Sequence, residues 1–195
     1  MERTRAAGAA AARTAASAAT RRAFLLLACV FPVSLLRAPR AQAAAAPLDW
    51  LELHNTHTDE TLRITFRNAA GFIPAALARL DRILFDHRSG EHRAMDPQLF
   101  VLLADLAAAA GVEPRYEIIS GYRSAATNER LRLNGGGQAK QSQHIQGKAI
   151  DVRLKGVSTE RLRDLAVALG RGGVGYYPKS DFVHVDTARV RYWEG

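Results

Sequence analysis

The run Lys148-Ala149-Ile150-Asp151-Val152-Arg153-Leu154 alternates strictly, so it reads as a β-strand with Ile150, Val152 and Leu154 on a core face and Asp151 on the other. His144 precedes that carboxylate by seven residues with Gly147 between them, and a glycine lets the chain reverse and bring the imidazole back over the strand. His184 follows 33 residues later in Phe182-Val183-His184-Val185-Asp186, a second strand that can pair beside the first. Neighbouring strands lie roughly 4.8 Å apart, so side chains on one face of such a pair can share an ion. Two imidazoles and one carboxylate suit zinc, and three protein ligands leave a position for water, which makes hydrolysis the leading expectation. Singly, each residue has a plainer reading: His144 as a loop histidine, Asp151 as the solvent side of a strand, His184 as a hydrogen-bonded core histidine. The order, the glycine and the strand context together favour a shared ion.

The rest of the chain frames these two strands. Trp50 to Phe66 alternates around a polar turn at His57-Thr58-Asp59-Glu60, which predicts a β-hairpin, and Asn68 to Gly71 closes it. Ile73, Leu77, Leu80, Ile83 and Leu84 recur at helical spacing, predicting a helix over 73–87; Asp96-Pro97 and Gly111 bracket a second. Tyr116 to Ser120 reads as a strand, Ser124 as the cap of a helix running to about Leu133, and Asn134 to Gly137 as its stop before a polar loop through Gln143. A helix over 159–169 ends at Gly170, Gly172 to Pro178 packs closely as a strand or turn, and Phe182 to Asp186 is the last expected strand. The mixture predicts an α+β domain, a mostly antiparallel sheet flanked by helices. His54, His57, His87 and His92 lie in a turn or a charged stretch and read as solvated.

Charge excludes one class of function. The chain carries a formal +8, but the first 43 residues hold seven arginines against one acid, which leaves +2 for residues 44–195. A nucleic-acid binder is therefore not expected. Arg21-Arg22-Ala23-Phe24-Leu25-Leu26, an apolar stretch to Leu36 and Ala41-Gln42-Ala43 read as a cleavable export signal resembling the twin-arginine type. The apolar stretch is shorter than the roughly 20 residues of a membrane-spanning helix. Cys29, the single cysteine, lies in this leader, so the remaining single domain has no disulfide and no thiolate ligand. A lipoprotein box ending at Cys29 falls too soon after the arginine pair.

Ser120-Gly121-Tyr122-Arg123-Ser124, His144 with Asp151, Gly172-Gly173-Val174-Gly175-Tyr176-Tyr177 and Phe182-Val183-His184-Val185-Asp186 together resemble the YcbK-like branch of the D-Ala-D-Ala metallopeptidases, peptidase family M15. The resemblance covers most of the chain after the leader and is strongest from residue 118 onward. It implies a hedgehog-like fold and a zinc-dependent endopeptidase that cuts peptide cross-links of peptidoglycan (murein) in the periplasm or cell envelope. Its partners would be peptidoglycan stem peptides and, during export, the twin-arginine translocase. It also implies zinc held by His144, Asp151 and His184, with Arg123 stabilising the oxyanion. Asp181, three residues before His184, stands where related enzymes carry their catalytic acid residue, but only a turn conformation would let it serve. Asp186, with the parity of His184, is the other candidate base, or a group that orients His184. Tyr122, Tyr176, Tyr177 and Trp193 are candidate cleft walls and equally candidate core or rim aromatics, and Ser142 is a candidate support for the site or for the loop. Two alternatives stay open: a D,D-carboxypeptidase, and a metal-holding peptidoglycan-binding module without turnover.

Overall fold

A computed structural model describes residues 49–135 and 137–195; the expected export signal, residues 1–43 with Cys29, lies outside the described residues. The first hairpin forms where its alternation and polar turn place it, β1 (Trp50–Asn55) antiparallel to β2 (Thr61–Thr65). A short ribbon of β3 (Arg67–Asn68) and β4 (Gly71–Phe72) follows. Helix α1 (Pro74–Ile83) stops about a turn before the expected end. The reason is local: the Leu84 carbonyl accepts the Tyr122 amide and the Asp86 amide donates to Glu91, so these backbone groups are committed elsewhere.

Helix α2 (Pro97–Ala110) starts at Asp96, whose carboxylate accepts the Gln98 amide, and ends at Gly111 in the left-handed conformation. It is apolar nearly all round and therefore central; Leu99, Phe100, Leu103 and Leu106 are completely buried. Each such side chain contributes about 1.5–3 kcal/mol relative to exposure. After it come β5 (Arg115–Ser120), α3 (Ala125–Leu133), β6 (Ala149–Leu154), α4 (Thr159–Leu169), β7 (Gly173–Tyr177), β8 (Phe182–Asp186) and β9 (Arg191–Glu194).

Seven strands form one sheet in the order β2-β1-β5-β6-β8-β7-β9. Neighbours are antiparallel except β1 with β5 and β7 with β9, so the α+β expectation holds while the sheet is mixed. Strand β9 is an addition to the sequence reading, which ended the sheet at Asp186. Its four residues, Arg-Tyr-Trp-Glu, are too few and too polar to announce a strand. One face of the sheet carries Leu53, Tyr116, Ile118, Val152, Val183 and Val185 into the core, where the Tyr116 hydroxyl donates to the Leu103 carbonyl on α2. The opposite face is left for polar side chains, among them Asp151.

Candidate metal centre

Strands β6 and β8 are antiparallel neighbours with Asp151 directly opposite His184. His144 reaches them from the tight turn before β6, where the Gly147 amide donates to the His144 carbonyl. Gly147 has φ +70°, and a Cβ there would lie 2.6 Å from the Ala94 carbonyl oxygen, so the turn requires glycine for two reasons. The result brings three ligand atoms together: Asp151 Oδ1 lies 3.2 Å from His144 Nε2 and 2.8 Å from His184 Nδ1, and the two nitrogens are 3.1 Å apart. All three residues are buried.

The outer hydrogen bonds decide what these atoms offer. His144 Nδ1 lies 2.7 Å from the Gly121 carbonyl, which can only accept, so Nδ1 carries the proton and Nε2 presents a lone pair. His184 Nε2 lies 3.0 Å from Asp186 Oδ2, which leaves Nδ1 as the lone pair by the same reasoning. In these neutral tautomers two lone pairs and a carboxylate oxygen converge, a set that a divalent cation satisfies. Their separations are close to the ~3.3 Å between donors that each sit about 2.0–2.1 Å from a tetrahedral ion.

Electrostatics favour the metal-ready form at His144 and Asp151 and oppose it at His184. Burial pulls the His144 imidazole below its ordinary range, outweighing Asp151 beside it. Burial acts the same way on His184, but its hydrogen bonds to Asp151 and Asp186 prevail and raise it. A proton and a metal would therefore compete for His184 Nδ1. Burial alone would raise the Asp151 carboxyl, yet the two imidazoles hold it far below the usual carboxylate range.

A cleft of about 820 Å³ opens over the triad, between the polar loop at Gly137–Gln143 and strand β9. Trp193 on β9 lies over His184 with ring centroids 5.1 Å apart, and its indole N–H donates to the Tyr177 hydroxyl. Gly175 pairs with both His184 and Trp193, and a Cβ there would come within 2.5 Å of the indole, so the missing side chain is what admits the ring. Arg123 lines the same cleft. Its Nη2 donates to Ser120 Oγ at 3.1 Å and lies 3.7 Å from Asp151 Oδ2, while its buried Nε has no partner.

The two candidate bases are placed otherwise. Asp181 belongs to the turn before β8, at φ +52°, but its carboxylate accepts from Thr159 Oγ1 and pairs with Arg153 and does not line the cleft. Asp186 is completely buried, taken up by His184, Arg191 and the amides of Gly173 and Ala188. Hydrogen bonds from those groups overcome burial and keep it well below the ordinary carboxylate range. It is closed off from the cleft and contacts His184 on the side away from the triad. Of the four aromatics, Tyr177 and Trp193 line the cleft, whereas Tyr122 is buried in the core and the Tyr176 hydroxyl bonds Glu160. Ser142 Oγ accepts the His144 amide. None of the other four histidines joins the triad; His57 and His87 stack on each other at 3.8 Å. The sequence reading missed the buried polar face of α3, Thr127 and Asn128, whose Asn128 approaches Arg123 and donates to the Ala139 carbonyl of the loop. No apolar periodicity marks that face, so nothing in the pattern singles it out.

Residues 43–193 match the family model described as peptidoglycan L,D-endopeptidase MepK. The chain is 40% identical over 143 residues to peptidoglycan L,D-endopeptidase MepK of Escherichia coli (strain K12), a match covering 73% of this chain and 79% of the relative. It is 44% identical over 146 residues to the protein of Haemophilus influenzae named "Probable peptidoglycan L,D-endopeptidase MepK", covering 74% and 78%.

Proposed function

Because the chain belongs to the peptidoglycan L,D-endopeptidase MepK family, we propose that it is a zinc-dependent peptidase that hydrolyses L,D peptide bonds in the cross-links of peptidoglycan. The relatives' names specify an endopeptidase, which favours internal cleavage over the trimming of a terminal D-alanine.

His144, Asp151 and His184 would hold the metal, which when bound supplies an acidified water and polarises the scissile carbonyl. Asp186 keeps His184 in the tautomer that offers Nδ1. Arg123 contributes a fixed cation beside Asp151, and its planar fork at the cleft suits a developing oxyanion or a substrate carboxylate. Trp193 and Tyr177 form the wall that would hold a stem peptide against the triad. The carboxylates lining the cleft are Asp151 and Glu194 among the described residues. Asp181 and Asp186 lie outside that lining, which supports a reading in which neither exchanges a proton directly with a water in the cleft.

A peptidoglycan substrate agrees with a site of action in the cell envelope. Residues 1–43, read as an export signal of twin-arginine type, support delivery to the periplasm by that translocase, with residues 44–195 as the working domain.

The observation that carries this reading is the convergence of two imidazole nitrogens and a carboxylate oxygen at the floor of an arginine-bearing cleft. The test is incubation of the protein with purified peptidoglycan, with and without a chelator, followed by separation of the muropeptides. Cross-linked dimers should fall in the zinc-loaded sample alone. Dimers that persist with zinc bound would leave the non-catalytic metal module as the better description.

A further inference from the structure

One buried carboxylate has no part in the chemistry described so far. Asp86, in the turn after α1, is 2% exposed. Its oxygens accept from the Arg88 amide, from Ser89 Oγ and from the Ser124 amide, each at 3.0 Å. Burial alone would raise this carboxyl, but hydrogen bonds from Thr127, Ser124 and Arg88 outweigh it and keep the group ionised. Among the described residues no lysine or arginine forms an ion pair with it, although a buried charge is costly unless it is compensated. Compensation comes from these donors and from the amide end of α3, whose cap residue is Ser124.

The segment tied down in this way carries the site. The Tyr122 amide donates to the Leu84 carbonyl at 2.8 Å, and a Cβ on Gly121 would lie 2.6 Å from that same oxygen, so residues 84–86 and 121–124 are in close contact along their length. From the far side of residues 121–124 the Gly121 carbonyl holds His144 Nδ1, and the Arg123 amide donates to the His144 carbonyl at 3.3 Å. Arg123 therefore leaves the backbone one residue before the amide that Asp86 grips.

We propose that Asp86 is a positioning residue for the hydrolysis: by anchoring the Ser124 amide it sets where the Arg123 guanidinium stands over the metal cleft. It touches neither substrate nor metal. The proposal rests on the peptidase reading above, and on Arg123 acting in it. A misplacement of about 1 Å in a catalytic group can cost on the order of 100-fold in rate. Loss of the anchor should therefore appear in kcat, with KM little changed and the metal still bound.

The experiment is a double-mutant cycle on the zinc-loaded protein, Asp86→Ala and Arg123→Ala, read as kcat on a cross-linked muropeptide dimer, with metal content measured for each variant. Asp86→Ala should lower kcat about 10- to 100-fold in the parent and by less than about twofold when Arg123 is already alanine. A second readout is the Arg123 Nε–H resonance, which should move in Asp86→Ala. If Asp86→Ala does not fold, Asp86→Asn, which keeps the shape and one acceptor, is put through the same cycle and judged by the same ratio. Equal losses in both backgrounds, or unchanged kcat in folded protein, overturn the proposal. A parent that cuts no dimer removes the peptidase reading itself, a result distinct from equal losses.

Discussion

The polar face of the sheet carries acids, cations and histidines at both ends, yet the two ends do different things. On the β1 and β5 side, register places Glu52 beside Arg115 and His54 beside Glu117, and Glu117 in turn lies opposite Arg153. These side chains are partly exposed and pair with each other, Arg153 with Glu117 at 3.1 Å and Arg115 with Glu52 at 3.7 Å. Two residues further back along β6, on the same face, Asp151 meets His184, and the same residue types are buried with their lone pairs turned inward. The difference is cover. The turn carrying His144 and the Trp193 side chain, which reaches His184 from the edge strand β9, cover this part of β6 and β8, while among the described residues no helix or loop seals the paired charges of β1 and β5 from solvent. Water, not residue identity, separates a solvated lattice of ion pairs from a site that wants an ion.

That contrast is broken most sharply by removing a ligand. His144→Ala, Asp151→Ala and His184→Ala should each abolish stoichiometric metal binding and lower turnover by more than about 10³-fold, because several kcal/mol of metal-derived stabilisation disappear. His54→Ala, on the same face outside the cover, should leave both within about twofold. The check is metal content by atomic spectroscopy beside dimer hydrolysis. Full metal loading in any of the three ligand variants would show that the ion sits elsewhere.

A smaller effect is expected one bond outward. Asp186→Asn replaces the partner of His184 Nε2 with a neutral group that can also present a donor, so the imidazole is no longer held with Nδ1 free. Metal affinity should fall about 10- to 100-fold, measured by chelator competition, and activity should return when zinc is raised. Asp181→Ala provides the control, since Thr159 and Arg153 hold that carboxylate outside the cleft. Failure of added zinc to restore Asp186→Asn would point to a direct chemical role for Asp186.

These residues also mark where the sequence stops being legible. The ligand triad could be read because each member sits on a periodic element or a glycine turn: alternation fixes the face of Asp151, and the second strand fixes that of His184. Helix boundaries at Asp96, Gly111, Ser124 and Gly170 could be read for the same reason, since a cap is a local event. Asp86 and Asn128 could not. An acid in the charged stretch Phe85-Asp86-His87-Arg88 looks solvated, and only the return of residues 121–124 some 38 positions later buries it. Asp181 meets the turn condition on which its role depends, but its carboxylate is held by Thr159 on α4 and by Arg153, partners that no local pattern announces. Strand β9 was missed since its pairing with β7 is parallel and long-range, which four polar residues cannot signal.

The smallest expected effect lies at the uncovered end, where it measures how little the same charges do in water. Glu117→Gln leaves Arg153 without its cross-strand acid, but both side chains are partly exposed, at 49% and 33%, and Arg153 keeps the Asp181 carboxylate and carbonyl and the Ser180 carbonyl as partners. An ion pair in that setting contributes about 0–1 kcal/mol, and salt screens it. Denaturant unfolding of Glu117→Gln should therefore give a midpoint close to the parent, with the residual difference shrinking further at high salt, and turnover should be unchanged. A loss well above 1 kcal/mol that persists at high salt would mean that this end of the sheet is sealed from water as well. Cover by the His144 turn and the Trp193 side chain would then no longer account for where the candidate metal centre stands.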